Sequence, residues 1–181
     1  MLKLIIPALE KFDEIKNEFI ATKEQVLQIE HSLVSISKWE SKWLKPFLIK
    51  DPPKTSIETI DYIKCMTITQ NVPEEVYNNI TNENMKEISN YIDSTMTATW
   101  FNEYGNKDKT KEIITSEIIY YWMITYNIPF ECQKWHLNRL LTLVQVCNKK
   151  NEKEKKMSNS EIMTKNTNLN NERRKKLNTN G

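Results

Sequence analysis

The spacing of apolar side chains changes about twenty residues into the chain. Leu2, Leu4 and Ile6 occupy alternate positions before Pro7 interrupts the run, which is typical of an extended segment. Residues 1–22 are therefore predicted to form a short strand pair, with an irregular N-terminal arm that orders only against the body as the alternative. From residue 23 to residue 151 the apolar positions recur mostly at helical spacing, which predicts a helical core domain.

Three sequence boxes predict where helices begin. In each box a Ser or Thr stands three residues before a Glu or Gln, so that each side chain can bind the backbone N–H of the other residue. The boxes lie at residues 22–25, 55–58 and 158–161. The first predicts a helix that ends at Lys45 and Pro46 and carries one apolar stripe, formed by Ile29, Leu33, Ile36 and Trp43 with Trp39 beside it. The third predicts a helix over about residues 158–176.

The middle of the chain predicts two short helices and a loop. Pro73 suits the first position of a helix over residues 73–80, and Thr81 begins another helix with apolar side chains on one face. Residues 94–111 are polar and predict a loop. Trp100 and Phe101 in that loop either contact a partner or fold back on the core.

Two longer helices are predicted to form the centre of the domain. Residues 112–127, EIITSEIIYYWMITYN, are apolar on nearly all sides, as expected of a helix surrounded by others. A second helix is predicted over about residues 131–151, with Leu137, Leu140, Leu141, Val144 and Cys147 inside and Lys134, Asn138 and Gln145 outside. The predicted fold class is therefore mainly α, with a compact helical domain, a short N-terminal strand pair or arm and a basic C-terminal helix or tail.

Charge divides the chain at about residue 148. Residues 1–148 hold sixteen basic and twenty acidic side chains, whereas residues 149–181 hold ten basic and four acidic ones. The net charge of +2 thus combines a mildly acidic body with a basic tail. Because the tail has few apolar side chains, residues 152–181 are predicted to form a partly helical tail, either marginal in isolation or docked on a partner.

Few residues are suited to catalysis or metal binding. The sequence has only two histidines, His31 and His136, and it lacks the common nucleophile motifs and glycine-rich phosphate loops. His31 is expected to be a capped or surface imidazole. Cys132 and His136 stand four residues apart, but a third and a fourth metal ligand are not evident nearby. We therefore expect a protein that is not an enzyme and has no cofactor and no metal.

The sequence also predicts a protein that remains in the compartment where it is made. No window approaches eighteen apolar residues, so no membrane span is expected, and the N-terminal apolar run is too short for a secretory signal. Three cysteines at spacings unlike a disulfide framework fit a reducing cytoplasm and are expected to be buried thiols.

Three segments and the C-terminal end resemble one protein family. The segments are IEHSLVSISKWESKW at residues 29–43, IDYIKCMTITQNVP at residues 60–73 and IIYYWMITYNIPFECQKWHLNRLLTLVQVCN at residues 118–148, and the end is KKMSNSEIMTKNTNLNNERRKKLNTNG. They look like the tail assembly chaperones of long-tailed, siphovirus-type bacteriophages, in their short form. The resemblance covers more than half of the chain.

The resemblance implies a helical protein of the host cytoplasm that is absent from the mature virion. Such chaperones bind the tape measure protein and keep it soluble until the tail tube assembles around it. They often occur with a frameshifted longer form, so further partners are that form or a second copy of the chain. The family has no catalytic motif to carry over to this sequence.

Candidate partner contacts are large aromatic side chains and the basic cluster of the tail. Aromatic side chains supply much of the contact area at interfaces, although burial in the core is at least as strong an alternative for each of them and is favoured for the stripe that holds Trp39 and Trp43. The candidates are Trp39, Trp43, Trp100, Phe101, Arg173, Arg174, Lys175 and Lys176. The basic cluster also suits a nucleic-acid-binding accessory protein, which is less favoured because no aromatic side chain separates the charges and the body is acidic. A structural connector retained in the virion is the third possibility.

Overall fold

The computed structural model describes residues 1–13, 18–101, 113–151 and 159–177. Within these ranges the chain is mainly α, as predicted. In chain order the elements are β1 Leu2–Ile6, β2 Leu9–Asp13, β3 Glu18–Thr22, β4 Gln25–Ile29, α1 Leu33–Trp43, α2 Ser56–Met66, α3 Glu74–Asn78, α4 Asn82–Asp93, α5 Ser116–Thr125, a 3₁₀ helix Phe130–Lys134, α6 Leu137–Asn151 and α7 Asn159–Leu177. Two compact units are present, Met1–Cys147 and Asn148–Gly181.

The N-terminal strands form two antiparallel pairs that share one register. In the first pair β1 lies against β4, with Leu2 opposite Ile29, and in the second β2 lies against β3, with Leu9 opposite Thr22. Pro7 lies between β1 and β2, where a residue without a backbone N–H interrupts the pairing. Leu4 and Leu27 face each other and are both fully buried. The first strand pair is therefore part of the core of the first unit.

The predicted helix start at residues 22–25 is wrong, because residues 25–29 form β4. Alternate burial explains the difference: Leu27 and Ile29 are buried, whereas the Val26 side chain between them is 47% exposed. The outer edge of β4 is also paired, since the Ile68 N–H donates to the Gln28 carbonyl at 2.8 Å. In residues 25–29 alternate side chains are buried and the backbone pairs with neighbouring segments. These contacts outweigh the capping box at residues 22–25.

The starts of α2 and α4 follow their local sequence. At the start of α2 the Glu58 N–H donates to Thr55 Oγ1 at 3.2 Å, and the Thr55 N–H donates to Glu58 Oε2 at 2.7 Å, which confirms the box at residues 55–58. Thr81 and Asn84 make the same reciprocal pair at the start of α4. The box at residues 158–161 lies outside the side chains that the structure describes, although α7 covers almost the predicted range.

The helix α5 is not surrounded on all sides, contrary to the prediction. Its side chains Ile119 and Met123 are fully buried, but Tyr121 is 64% exposed and Ile124 is 61% exposed. One face of α5 packs on α1, and the opposite face is open. Sequence apolarity alone overestimated the burial of this helix, because apolar side chains also occur on protein surfaces.

The predicted long helix after residue 130 is divided. A 3₁₀ helix covers Phe130–Lys134, Trp135 and His136 are extended, and α6 begins at Leu137. Asn138, predicted to point outward, instead donates from its side-chain amide to the carbonyls of Ile92 and Ser94 at 3.0 and 2.8 Å. It thereby binds the C-terminal end of α4, whose last carbonyls have no partner within their own helix.

Candidate functional site

The aromatic side chains predicted to contact a partner lie in different environments. Trp39 is buried in the core, where its indole N–H donates to the Glu58 carbonyl at 2.9 Å, so the core alternative is correct for this residue. Trp43 is half-buried, and its indole N–H donates to Asp61 Oδ2 at 2.8 Å. Phe101 is half-buried, while Trp100 is 76% exposed. Only Trp100 among these four presents most of its surface to solvent.

The two histidines meet in the interior of the first unit. His31, two residues after β4, and His136, before α6, are both buried, and their ring centroids lie 5.1 Å apart in an edge-to-face arrangement. The backbone holds them together, since the Leu137 N–H donates to the His31 carbonyl at 2.7 Å. The expectation that His31 is a capped or surface imidazole is therefore wrong, and nothing in its local sequence indicates the long-range contact.

A backbone hydrogen bond fixes His136 in a neutral form, and burial favours the neutral form of His31. The Asn138 N–H donates to His136 Nδ1 at 3.3 Å, so Nδ1 is unprotonated and Nε2 donates to the Tyr91 carbonyl at 3.0 Å. His31 Nδ1 shares a 2.5 Å hydrogen bond with the Tyr62 hydroxyl. Burial, reinforced by the neighbouring His136, lowers the pKa of His31 to about 3, and burial also lowers the pKa of His136. Neither imidazole is thus suited to act as a base toward a ligand in solvent.

A row of lysine–carboxylate pairs joins α1 and its following loop to α2. Lys42 pairs with Asp61, and Lys45 Nζ lies 2.6 Å from Glu58 Oε1. The Lys45 ammonium and the Thr55 N–H hold the pKa of Glu58 down at about 2. These bonds, together with the Trp43–Asp61 contact, fix the two helices against each other.

The loop between α1 and α2 forms a small cleft around Lys54. The cleft has a volume of about 270 Å³ and is lined mainly by Trp39, Pro46, Ile49, Pro52 and Pro53. Lys54 Nζ donates to the Phe47 carbonyl at 2.6 Å and lies 4.3 Å from the centroid of the Phe47 ring. Burial lowers the pKa of Lys54. Because its ammonium already binds the loop backbone and an aromatic ring, we assign Lys54 a role in holding the loop.

Glu40 connects α1 to α5 and to the loop after α1 through one backbone hydrogen bond each. Its side chain is buried, with Oε1 accepting from the Phe47 N–H and Oε2 from the Ser116 N–H, each at 2.8 Å. Thr115, the residue before α5, makes no side-chain capping bond. Glu40 therefore caps α5 from another helix, and it also holds the loop that follows α1.

Next to this connection lies an exposed apolar surface. Leu44 ends α1 in the left-handed conformation, with φ 53° and ψ 36°, and 86% of the residue is exposed. A non-glycine residue in this conformation costs about 1 kcal/mol relative to glycine. Tyr121 and Ile124 add the exposed side of α5. We call Leu44, Glu117, Tyr121 and Ile124 the Leu44–α5 strip.

The second unit presents the predicted basic cluster on α7. Arg173, Arg174 and Lys176 are exposed, and the side chain of Lys175 lies outside the described residues. The apolar side chains Met163, Leu169 and Leu177 of this helix are exposed as well. A helix with so few apolar side chains gains little stability from packing.

Neither a metal centre nor a membrane span emerges within the described ranges. No group of three or more His, Cys, Asp and Glu side chains there is placed to hold a metal ion. Cys132 is buried, whereas Cys65 and Cys147 are half-buried, and all three are free thiols. None of the helices in those ranges has both the length and the apolarity needed to cross a bilayer.

No protein-family model matches this chain, no curated protein matches its sequence, and no solved structure matches its fold. The resemblance to tail assembly chaperones thus stays a prediction.

Proposed function

We propose that this chain is a tail assembly chaperone that binds the tape measure protein of a long-tailed phage and keeps it soluble during tube assembly. The proposal starts from the sequence resemblance of residues 29–43, 60–73 and 118–148. The structural observation that supports it most directly is the open apolar face of α5, with Tyr121 and Ile124 largely exposed. Exposed apolar side chains grouped on one helix are typical of protein-binding surfaces.

The exposed apolar face of α5 suits a helical partner. An amphipathic helix presents apolar side chains at positions i, i+3 or i+4, and i+7, and a groove or helix face with matching spacing can cover them. A chaperone of this type buries the apolar side of its partner in the complex and releases it when the partner assembles elsewhere. Binding of moderate affinity is sufficient for this role, because the chaperone acts transiently.

Co-expression with the tape measure protein of the same phage tests the proposal. We expect the tape measure protein to be largely insoluble when it is expressed alone, and soluble and bound to this chain when both are expressed. The measurements are the soluble fraction of the tape measure protein and its co-elution with this chain in size-exclusion chromatography. An unrelated helical protein of similar size serves as the control. A tape measure protein that is equally soluble and uncomplexed in both cultures would refute the proposal.

The exposed arginines of α7 favour one second candidate, a nucleic-acid-binding accessory protein. Clustered basic side chains gain affinity for nucleic acid by releasing counterions, so such binding weakens steeply with salt. Filter retention of labelled DNA and RNA over a salt series measures it, with the double variant Arg173→Gln and Arg174→Gln for comparison. The chaperone proposal predicts no salt-dependent retention. Retention whose salt slope falls by about 2 in the double variant would support the second candidate instead.

A further inference from the structure

Leu44 and α5 border the same cleft on the surface of the first unit. A cleft of about 340 Å³ is lined by Ser41, Leu44, Pro46, Thr115 and Glu117, among others. The two sides are held in place by Glu40, which accepts from the Ser116 N–H, while its carbonyl accepts from the Leu44 N–H at 2.8 Å. Leu44 is thus fixed beside the start of α5, at the edge of a concavity large enough for an apolar side chain.

The exposed residues of α5 continue this surface along the helix. Glu117, Tyr121 and Ile124 follow one another at steps of four and three residues, so they lie on one helical face. Phe130 is also exposed, and its ring lies 6.4 Å from that of Tyr120. The strip therefore consists of one cleft beside Leu44 and of exposed side chains that follow one face of α5 for about two helical turns.

The conformation of Leu44 indicates that its side chain serves a purpose outside the fold. Glycine or asparagine is the usual residue at a left-handed helix end, because leucine is strained there. Packing does not explain the leucine, since it is the most exposed of the large apolar side chains in the described ranges. A partner that covers Leu44 would explain why a strained and exposed leucine stands at this position.

The charge around the strip indicates which partner fits. Residues 113–133 contain two charged side chains, Glu117 and Glu131, and both are exposed and acidic. Hydrogen bonds from its own backbone N–H and from Thr115 lower the pKa of Glu117, so it is ionised at neutral pH. Lys45, the lysine that lines the cleft, is already paired with Glu58. A helix with basic side chains beside its apolar face complements this surface, whereas an acidic helix is repelled.

We propose that the Leu44–α5 strip is the docking surface for an amphipathic helix of the partner that carries Lys or Arg beside its apolar face. This inference rests on the proposed function, because it takes the partner to be the tape measure protein. The apolar side of the bound helix covers Tyr121 and Ile124, one of its side chains enters the cleft beside Leu44, and a basic side chain pairs with Glu117.

Peptides of about twenty residues that tile the tape measure protein identify the bound segment. Their dissociation constants are measured by calorimetry against the full-length chain. We expect the tightest peptide to have apolar side chains at helical spacing with adjacent lysine or arginine. Ile124→Asp is expected to weaken its binding at least tenfold. Glu117→Lys is expected to weaken binding several-fold and to reduce its dependence on salt.

Leu44→Gly separates docking from folding. Glycine relieves the strained backbone, so the midpoint of urea unfolding should not fall, whereas binding of the peptide should weaken several-fold because the side chain is removed. Ile5→Thr is the matched control, since Ile5 is an exposed isoleucine on β1, outside the strip, and the change should leave binding unaffected.

The outcomes distinguish the inference from the proposed function. If the wild-type chain neither solubilises the tape measure protein nor binds any of its peptides, the proposed function fails. If the wild-type chain does both and the three strip variants bind as tightly as Ile5→Thr, only the docking surface is refuted. Self-association that Ile124→Asp abolishes while tape measure binding persists would assign the strip to a second copy of the chain, and would also overturn the inference.

Discussion

Replacing Glu40 by alanine is expected to destabilise the first unit by about 3 kcal/mol. The change removes both acceptors of the Phe47 and Ser116 N–H groups, and the Ser116 N–H lies in a buried position at the start of α5. A buried donor that loses its partner retains the full penalty of desolvation. The free energy of unfolding, measured by urea titration, tests this expectation.

Two further variants make the Glu40 result specific. Glu40→Gln keeps one side-chain acceptor and places an amide NH₂ toward the other N–H group, so it should lie between the wild type and alanine. Glu87→Ala, at an exposed position of α4, controls for the general effect of this substitution in a helix and should change stability by less than about 0.5 kcal/mol. A cost for Glu40→Ala no larger than that for Glu87→Ala would show that the two hydrogen bonds do not stabilise the fold.

The Glu40 contact illustrates why only part of the fold could be predicted from sequence. The starts of α2 and α4 depend on residues three positions apart, Thr55 with Glu58 and Thr81 with Asn84, and such pairs are visible in the sequence. The start of α5 instead depends on a glutamate 76 positions earlier. No local pattern indicates a cap of this type.

Two of the errors in the predicted elements have a common physical origin. At residues 22–25 a capping box was present, but pairing of β4 with β1 and burial of Leu27 gained more than a helical turn could. At α5 the apolar sequence suggested burial on every side, although neighbouring elements cover only part of the helix. In both cases tertiary contacts, which the sequence does not display, decide the outcome.

The same limit applied to the candidate site. Trp39, which the sequence offers as a partner contact or a core residue, is buried, while Tyr121, Ile124 and Leu44 were not singled out. A leucine just after a helix, where glycine is usual, was the one signal in the sequence that could have indicated an exposed contact. This signal could be recognised only if the end of α1 was known, and the sequence predicted that end only approximately, at Lys45 and Pro46 and not at Trp43.

Lowering the pH from 8 to 5 is expected to destabilise the first unit by about 2 kcal/mol through His31 alone. The pKa of His31 lies at about 3 in the folded chain, against 6.5 as its ordinary value, so below pH 6.5 the unfolded chain binds a proton that the folded chain does not. The stability that the fold has with a neutral His31 is therefore fully present above pH 6.5 and is lost as the pH falls toward 3. His136, whose pKa is also lowered, acts in the same direction.

The pH range from 8 to 5 separates the histidines from the tyrosines and from most carboxyl groups near them. Tyr62 and Tyr91 have raised pKa values and stay protonated, and carboxyl groups titrate mainly below this range. In His31→Gln the difference in unfolding free energy between pH 8 and pH 5 should shrink, whatever its absolute stability. Because the sequence has two histidines, their ring protons can also be followed separately by NMR. A His31 resonance that titrates near pH 6.5 in the folded chain would contradict the buried, neutral imidazole pair, since a protonated His31 would lie 5.1 Å from the His136 ring in the core.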